Sequence, residues 1–329
     1  MTYSSGGLIQ AADYNTFATN INAFWGTGSG DSGWGQTAIS SVSASGIVTA
    51  TNWATLVNTL ATAGTQTSTS ETSRAAPTTG TLVSIFNNVA TDTTSVTTNR
   101  GNASVQGSTS STWTGAIAKT TNTGAGQAAW TITWTQTVTF GSADAARYFW
   151  NAGGLVRLNM SKTSTGNESD EEWNTFVGLV GNLYISGRVN SAAQTINGTS
   201  YTGTTRIGGT GGTQNTLATT TGWYQLTAGA AATTIFSLNN TTAPYTGENI
   251  TITAAKNAGA TVLTLVTTWT QPAVSVPGEI TTISGGTDTT SPFSAFGTAP
   301  AVLCRYIPPS TTYLTTASWG TPAVASSVA

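Results

Sequence analysis

This sequence of 329 residues contains no histidine, which removes the side chain most often used for proton transfer and for binding transition metals. Ser-His-Asp and Cys-His catalysis are therefore excluded, as are histidine-containing zinc sites. Cys304 is the single cysteine, so neither an intrachain disulfide nor a thiolate zinc site can form. It stands in the apolar run 301–307 and reads as a small buried hydrophobe. The one dense carboxylate group is Glu168, Asp170, Glu171 and Glu172. Its simplest role is to cap a helix and complement the helix dipole. The sharper alternative is a calcium site, because carboxylates suit a hard cation, but the EF-hand loop spacing is missing. A glycosidase needs a second carboxylate opposite the first. The remaining carboxylates are isolated along the chain. The expectation is a non-enzymatic protein with no catalytic residues and no cofactor, and with that cluster as the only candidate metal ligands.

Two other groups could bind ligands. Gly28, Gly30 and Gly33 spell GxGxxG. A dinucleotide fold needs that loop between a strand and a helix. Here it follows a helical pattern, so the reading is a tight loop pinned by Trp25 and Trp34. Trp223, Tyr224, Tyr245 and Trp319 are candidates for carbohydrate or host-surface contact by residue type. The competing reading places them in the core or in subunit contacts.

The elements that would position these residues follow from periodicity. Gly7-Leu8-Ile9-Gln10-Ala11-Ala12-Asp13-Tyr14 returns 39 residues later as Gly46-Ile47-Val48-Thr49-Ala50-Thr51-Asn52-Trp53. Tyr14, Phe17 and Ile21 then fall opposite Trp53, Leu56 and Leu60, and each set lies on one helix face. A third helix is expected over 82–89, from Leu82, Ile85, Phe86 and Val89. Residues 100–126 are rich in Ser, Thr, Gly and Asn and read as a linker or polar surface segment. Beyond it the period becomes two. Strands are expected from Trp130, Ile132 and Trp134 through 137–140, and over 155–160, 184–189, 223–227, 233–238, 249–254, 260–269 and 301–307. Two short helices interrupt them, at 143–151 and 170–182. The second follows Ser169, with Glu172 at capping-box spacing. The expected fold is mainly β with a small α-helical N-terminal region. The parts are a helical repeat for attachment or oligomerisation (1–99), the linker (100–126) and an antiparallel β-sandwich-like domain with inserted short helices (127–329).

Composition narrows the function class. Charged residues make up 7% of the chain, against roughly 25% in ordinary soluble domains. A chain that does without charge has much of its surface covered by copies or partners, or keeps it wet with hydroxyls and amides. Either favours an assembly or surface protein. The net charge is −2 and the ten cations are scattered, which argues against nucleic-acid binding. Residues 1–7 lack a cationic n-region and an apolar h-region, and no run approaches a bilayer span. Neither Sec-type export nor membrane insertion is expected; assembly in a bacterial cytoplasm with release by lysis accounts for the combination, and so does export through another secretion system.

Ala11-Ala12-Asp13-Tyr14-Asn15, Gly26-Thr27-Gly28-Ser29-Gly30, Gly33-Trp34-Gly35-Gln36-Thr37 and the second-copy stretch 47–60 together resemble the virion structural proteins of large tailed marine and cyanobacterial phages. The most specific is Arg147-Tyr148-Phe149-Trp150-Asn151-Ala152-Gly153-Gly154, similar to a "RYFFNAGG" segment of those proteins, with Trp150 replacing the second Phe. The resemblance covers residues 8–60 and 127–185, with a weaker echo in the C-terminal strands. It implies a tail-fibre-like or otherwise structural virion protein and carries no catalytic residues. The expected partners are copies of this chain, other virion proteins and, as a further candidate, a host surface glycan. A capsid decoration protein and a non-viral surface-filament subunit are the alternatives; a polysaccharide depolymerase is disfavoured.

Overall fold

The computed structural model describes residues 10–72, 75–79, 86–102, 114–118, 130–163, 168–187, 194–196, 199–201, 203–211, 216–217, 221–242, 245–272 and 300–329. Within them the chain is mainly β, with two antiparallel sheets and five α-helices.

The repeat forms α1 (Ala11–Trp25) and α2 (Ala50–Gln66). Both copies start the same way. Asp13 Oδ2 accepts from Gln10 N at 3.3 Å, and at the equivalent positions Asn52 Oδ1 accepts from Thr49 N at 2.9 Å. Each bond ties down a main-chain donor at the helix start. The equivalent aromatics meet: Tyr14 and Trp53 pack edge to face with centroids 5.5 Å apart. The third helix, α3 (Phe86–Asn99), packs on both, with Val89 and Val96 fully buried. It starts later and runs further than expected. Phe86 and Val89 lie on it, while Leu82 and Ile85 fall outside the described residues. The pattern stopped at Val89 because the rest of α3 is mostly Thr, Ser and Asn. Its hydroxyls bond back onto the helix, as in Thr93 Oγ1 to Val89 O at 2.6 Å and Thr97 Oγ1 to Thr93 O at 2.6 Å.

The strands are β1 (Thr114–Ala118), β2 (Trp130–Thr139), β3 (Leu155–Ser161), β4 (Asn182–Ser186), β5 (Gln194–Ile196), β6 (Thr199–Tyr201), β7 (Thr204–Ile207), β8 (Thr216–Leu217), β9 (Thr233–Asn239), β10 (Asn249–Lys256), β11 (Val262–Gln271), β12 (Ala301–Ile307) and β13 (Ala323–Val328). One sheet runs β1-β12-β3-β4-β7, the other β13-β2-β11-β10-β9-β8, and β5 and β6 form a separate pair. The helices α4 (Ala143–Asn151) and α5 (Glu168–Gly178) flank β3 in sequence. Alternation sets the buried faces. Strand β11 turns Leu263, Leu265, Thr267, Trp269 and Gln271 inward, and β10 adds Ile250, Ile252 and Ala254. From the other sheet come Val156, Leu158 and Met160 of β3 and Val302 and Cys304 of β12. A smaller cluster of Leu155, Tyr184 and Ile307 covers that sheet's opposite face.

Several elements depart from expectation. The segment read as a linker contributes β1, which pairs with β12. The strand expected at 223–227 is instead a 3-10 turn, Trp223–Gln225, where Gly222 N donates to Gln225 Oε1 at 2.7 Å. The side chain closes the turn locally, and no ladder forms. Helix α5 begins at Glu168, so Ser169 lies inside it and is not its cap. Strand β13 carries no strand signal in its sequence, because Ala-Val-Ala-Ser-Ser-Val has small side chains and weak alternation.

Trp269 joins the layers. It packs on Trp134 of β2 (4.9 Å), stacks on Trp173 of α5 (5.3 Å, planes 8° apart) and donates from Nε1 to Met160 Sδ of β3 at 3.3 Å. Trp269→Ala should therefore cost about 3–5 kcal/mol, the range for deleting a large buried aromatic. Tyr313→Ala, at an exposed ring, should stay within about 0.5 kcal/mol. Urea denaturation of both variants checks this, and equal midpoints would remove Trp269 from its central role.

Candidate functional site

The richest polar arrangement joins the glycine-rich loop to α4. After α1 the chain turns sharply: Gly35 N donates to Gly26 O at 2.8 Å, and Gln36 N to Trp25 O at 3.0 Å. Gly28 and Gly33 have φ of +49° and +92° and lie against each other's backbone, so a Cβ at either would collide. Trp34 is fully buried between Phe24 and Trp25, at 5.7 and 6.0 Å. The expected tight, tryptophan-pinned loop is what forms.

Helix α4 grips that loop. Ser142 Oγ accepts from Ala145 N at 3.0 Å and caps its start. Its end is a Schellman turn, with Gly153 N bonded to Trp150 O at 3.2 Å and Gly154 N to Phe149 O at 2.8 Å. Gly153 sits at φ +100°, which only glycine adopts without strain. Arg147 and Asn151, four apart, share one helix face. Arg147 Nη1 donates to Thr27 O at 2.5 Å and Ser32 O at 2.9 Å, while Nη2 donates to Asp144 Oδ1 at 3.1 Å. Asn151 Nδ2 donates to Gly33 O at 3.0 Å, and its Oδ1 accepts from Tyr224 OH at 2.5 Å. Burial, and then the nearby Asp31 carboxylate, raise the Tyr224 phenol above its ordinary value, so it stays a donor. Asp31 also pairs with Arg100 at 3.1 Å.

The next stretch is held just as closely. Gln36 is buried; its Oε1 accepts from Thr315 N at 2.9 Å, and its Nε2 donates to Ser318 Oγ at 3.1 Å. Asn22 brackets Ile39, with Oδ1 accepting from its N–H at 2.8 Å and Nδ2 donating to its carbonyl at 2.9 Å. Asn15 brackets Val42 in the same way, with both bonds at 2.8 Å. The donors of Arg147 and the two ends of these amides are directed mainly at main-chain groups. The arrangement is a clasp for a loop.

The aromatic candidates divide. Trp223 and Trp319 are buried. Trp223 stacks on Trp150 at 5.5 Å, and the Lys256 ammonium lies 4.8 Å from its ring centroid. Burial lowers the pKa of that ammonium. Tyr224 and Tyr245 are half-buried. These four do not form a common exposed platform. Cys304 is fully buried, and burial pushes its thiol up to about 12, so it is inert at neutral pH.

The carboxylate cluster is spread along α5. Glu171 is exposed, and the side chains of Glu168 and Asp170 lie outside the described residues. Glu172 does not close a capping box; its Oε1 accepts from Asn240 Nδ2 at 2.6 Å. Among the described residues no group of three or more His, Cys, Asp or Glu is placed to hold a metal ion, and no helix is long and apolar enough to cross a membrane. Compared with protein families, curated proteins and solved structures, the chain matches none of them.

Residue type alone did not single out Arg147, Asn151, Gln36, Asn15 or Asn22. The available signal was the i, i+4 spacing of Arg147 and Asn151 on a helix that ends in Gly-Gly. Asn151→Ala should leave the Gly33 carbonyl and the Tyr224 hydroxyl unmatched, at a cost of about 1–3 kcal/mol. It should also speed proteolytic cleavage within residues 26–36. Unchanged denaturation and digestion together would show that the clasp does not hold the loop.

Proposed function

We propose that this chain is a non-enzymatic structural subunit on the exterior of a tailed-phage particle, in a fibre, collar or tail appendage. It acts by assembling with copies of itself and with neighbouring virion proteins. The observation that carries the reading is the clasp. The segment that most resembles phage virion proteins, residues 147–154, is far in sequence from the resembling stretches 26–30 and 33–37, yet its Arg147 and Asn151 bond to Thr27, Ser32 and Gly33. A likeness confined to one local motif would give no reason for that pairing. A likeness that covers a whole structural unit does.

The remaining support is physical. A chain with only 7% charged residues loses little when another protein covers it, because few charges must leave water. We read residues 127–329 as a β-sandwich-like domain with α4 and α5 inserted, and the helical repeat as the attachment region. No cofactor, nucleic acid or membrane insertion enters the reading, and the protein's place is the virion. A host surface glycan is a further candidate partner of the β region.

Light scattering on the natively purified protein should give a homo-oligomer, and mass spectrometry of purified particles should detect the chain. Gold-labelled antibody should then mark the tail or collar; label over the capsid would favour a decoration protein instead. A protein that stays monomeric at high concentration and is absent from particles would end the proposal.

A further inference from the structure

At one end of the six-stranded sheet, two carboxyl groups from different elements share one amide. Glu248, just before β10, is fully buried. Its Oε2 accepts from Asn240 Nδ2 at 3.0 Å, and the same nitrogen donates to Glu172 Oε1 of α5 at 2.6 Å. Glu248 Oε1 has no hydrogen-bond partner among the described residues. Next to this group, Trp173 stacks on Trp269 and donates from Nε1 to Gln271 Oε1 at 3.0 Å. The seat of α5 on the sheet end is thus made of that aromatic stack and this carboxyl–amide–carboxyl bridge.

A buried carboxylate held close to a second carboxylate is stable only if it takes up a proton or a cation. The amide decides which. Thr242 N donates to Asn240 Oδ1 at 2.9 Å. Turning the amide over would set two donors against each other, so Nδ2 must face the carboxyls. Its hydrogens fill the direction in which a metal ligand would have to present oxygen. Among the described residues neither Glu172 nor Glu248 forms an ion pair with a cation. Glu171 on α5 is exposed and negative, and Glu168 and Asp170 on that helix are acidic too. Lys162, at the end of β3, donates to Thr163 O at 3.0 Å. Tyr245, before β10, meets Glu248 through its carbonyl at 3.2 Å.

We propose that Glu172, Asn240 and Glu248 form a proton-operated latch: with Glu248 protonated α5 is seated on the sheet end, and once Glu248 ionises the two carboxylates repel and the helix loosens. Burial first, and then the Glu172 charge, push Glu248 from an ordinary 4.5 to about 8. The sign follows from linkage. Between those values the seated state keeps a proton that the released state has lost, so seating weakens as pH rises from 4.5 to about 8 and levels off above.

Hydrogen exchange of the intact protein, followed by mass spectrometry and corrected for the intrinsic rate, reads this directly. Protection of peptides from residues 168–178 should fall across that window, by up to roughly tenfold per pH unit, relative to peptides from 249–256. Glu248→Gln keeps shape and amide contact without the charge, so its protection should not vary with pH. Glu172→Gln should move the fall to lower pH, and it keeps the test open if the first variant folds poorly. An infrared band of a protonated carboxyl should titrate near the same midpoint and vanish in Glu248→Gln. A flat wild-type profile, an unchanged midpoint in Glu172→Gln, or a stoichiometric divalent cation in dialysed protein that Glu248→Gln loses would each overturn the latch.

Discussion

The grip of α4 on the glycine-rich loop is the constraint on which the N-terminal half depends. An Arg guanidinium and an Asn amide, one turn apart, take the carbonyls of Thr27, Ser32 and Gly33. That fixes the exit of α1, which fixes where Trp34 enters the core and where Gln36 meets the turn at Thr315 and Ser318. From there Asn22 and Asn15 lay the extended segment back along α1. A loop with several glycines has much conformational entropy to lose. A planar guanidinium and a planar amide suit the task, because each presents donors in fixed directions and Arg loses less freedom per bond formed.

The same chemistry accounts for what the sequence revealed. Hydrophobic period marked α1, α2, most of the long strands and the face containing Trp173, because apolar burial creates that period, while Gly153-Gly154 marked the end of α4. The boundaries that slipped are those where polar groups do the holding. The remainder of α3 is hidden by hydroxyls that bond back into the helix. The turn at Trp223 is closed by Gln225, so an aromatic pair that looks strand-like is not in a ladder. Glu172 had the spacing of a cap and serves as a tertiary contact instead. Its partners Asn240 and Glu248 lie in a connection between strands, and no local pattern announces a contact made by folding distant segments together. The loop at Gly28 and Gly33 was legible because its neighbours Trp25 and Trp34 could be seen to anchor it; the side chains that clasp it, far downstream, could not.

The helices show how a chain can carry so little charge. Thr16, Thr55, Thr62, Thr65, Thr94 and Thr98 each donate a hydroxyl to the carbonyl four residues earlier. A helix surfaced in this way keeps a polar coat whose donors are already used. That back-bonding slightly weakens a helix taken alone, and short helices are marginal in water in any case. The aromatic contacts between the repeat copies, Tyr14 and Phe17 against Trp53, supply what local propensity does not.

Such a coat changes the energetics of being covered. Burying an ionised side chain costs several kcal/mol unless it is paired with good geometry. Burying a hydroxyl that already donates within its own helix forfeits only its weaker water contacts. A charge-rich surface resists unintended association through that cost; a hydroxyl-rich one does not. Solubility then depends on how the apolar groups are shielded, and here nearly all the large ones lie inside, with Ile47 and Tyr313 as the exposed exceptions among the described residues. A surface that is wet, uncharged and poor in apolar patches associates weakly at any one contact. Any assembly from such a surface would rely on repeating many such contacts in a fixed geometry, and that would demand a rigid subunit. The clasp at α4 and the tryptophan stack at Trp269 contribute that rigidity, one to the helices and the other to the sheets.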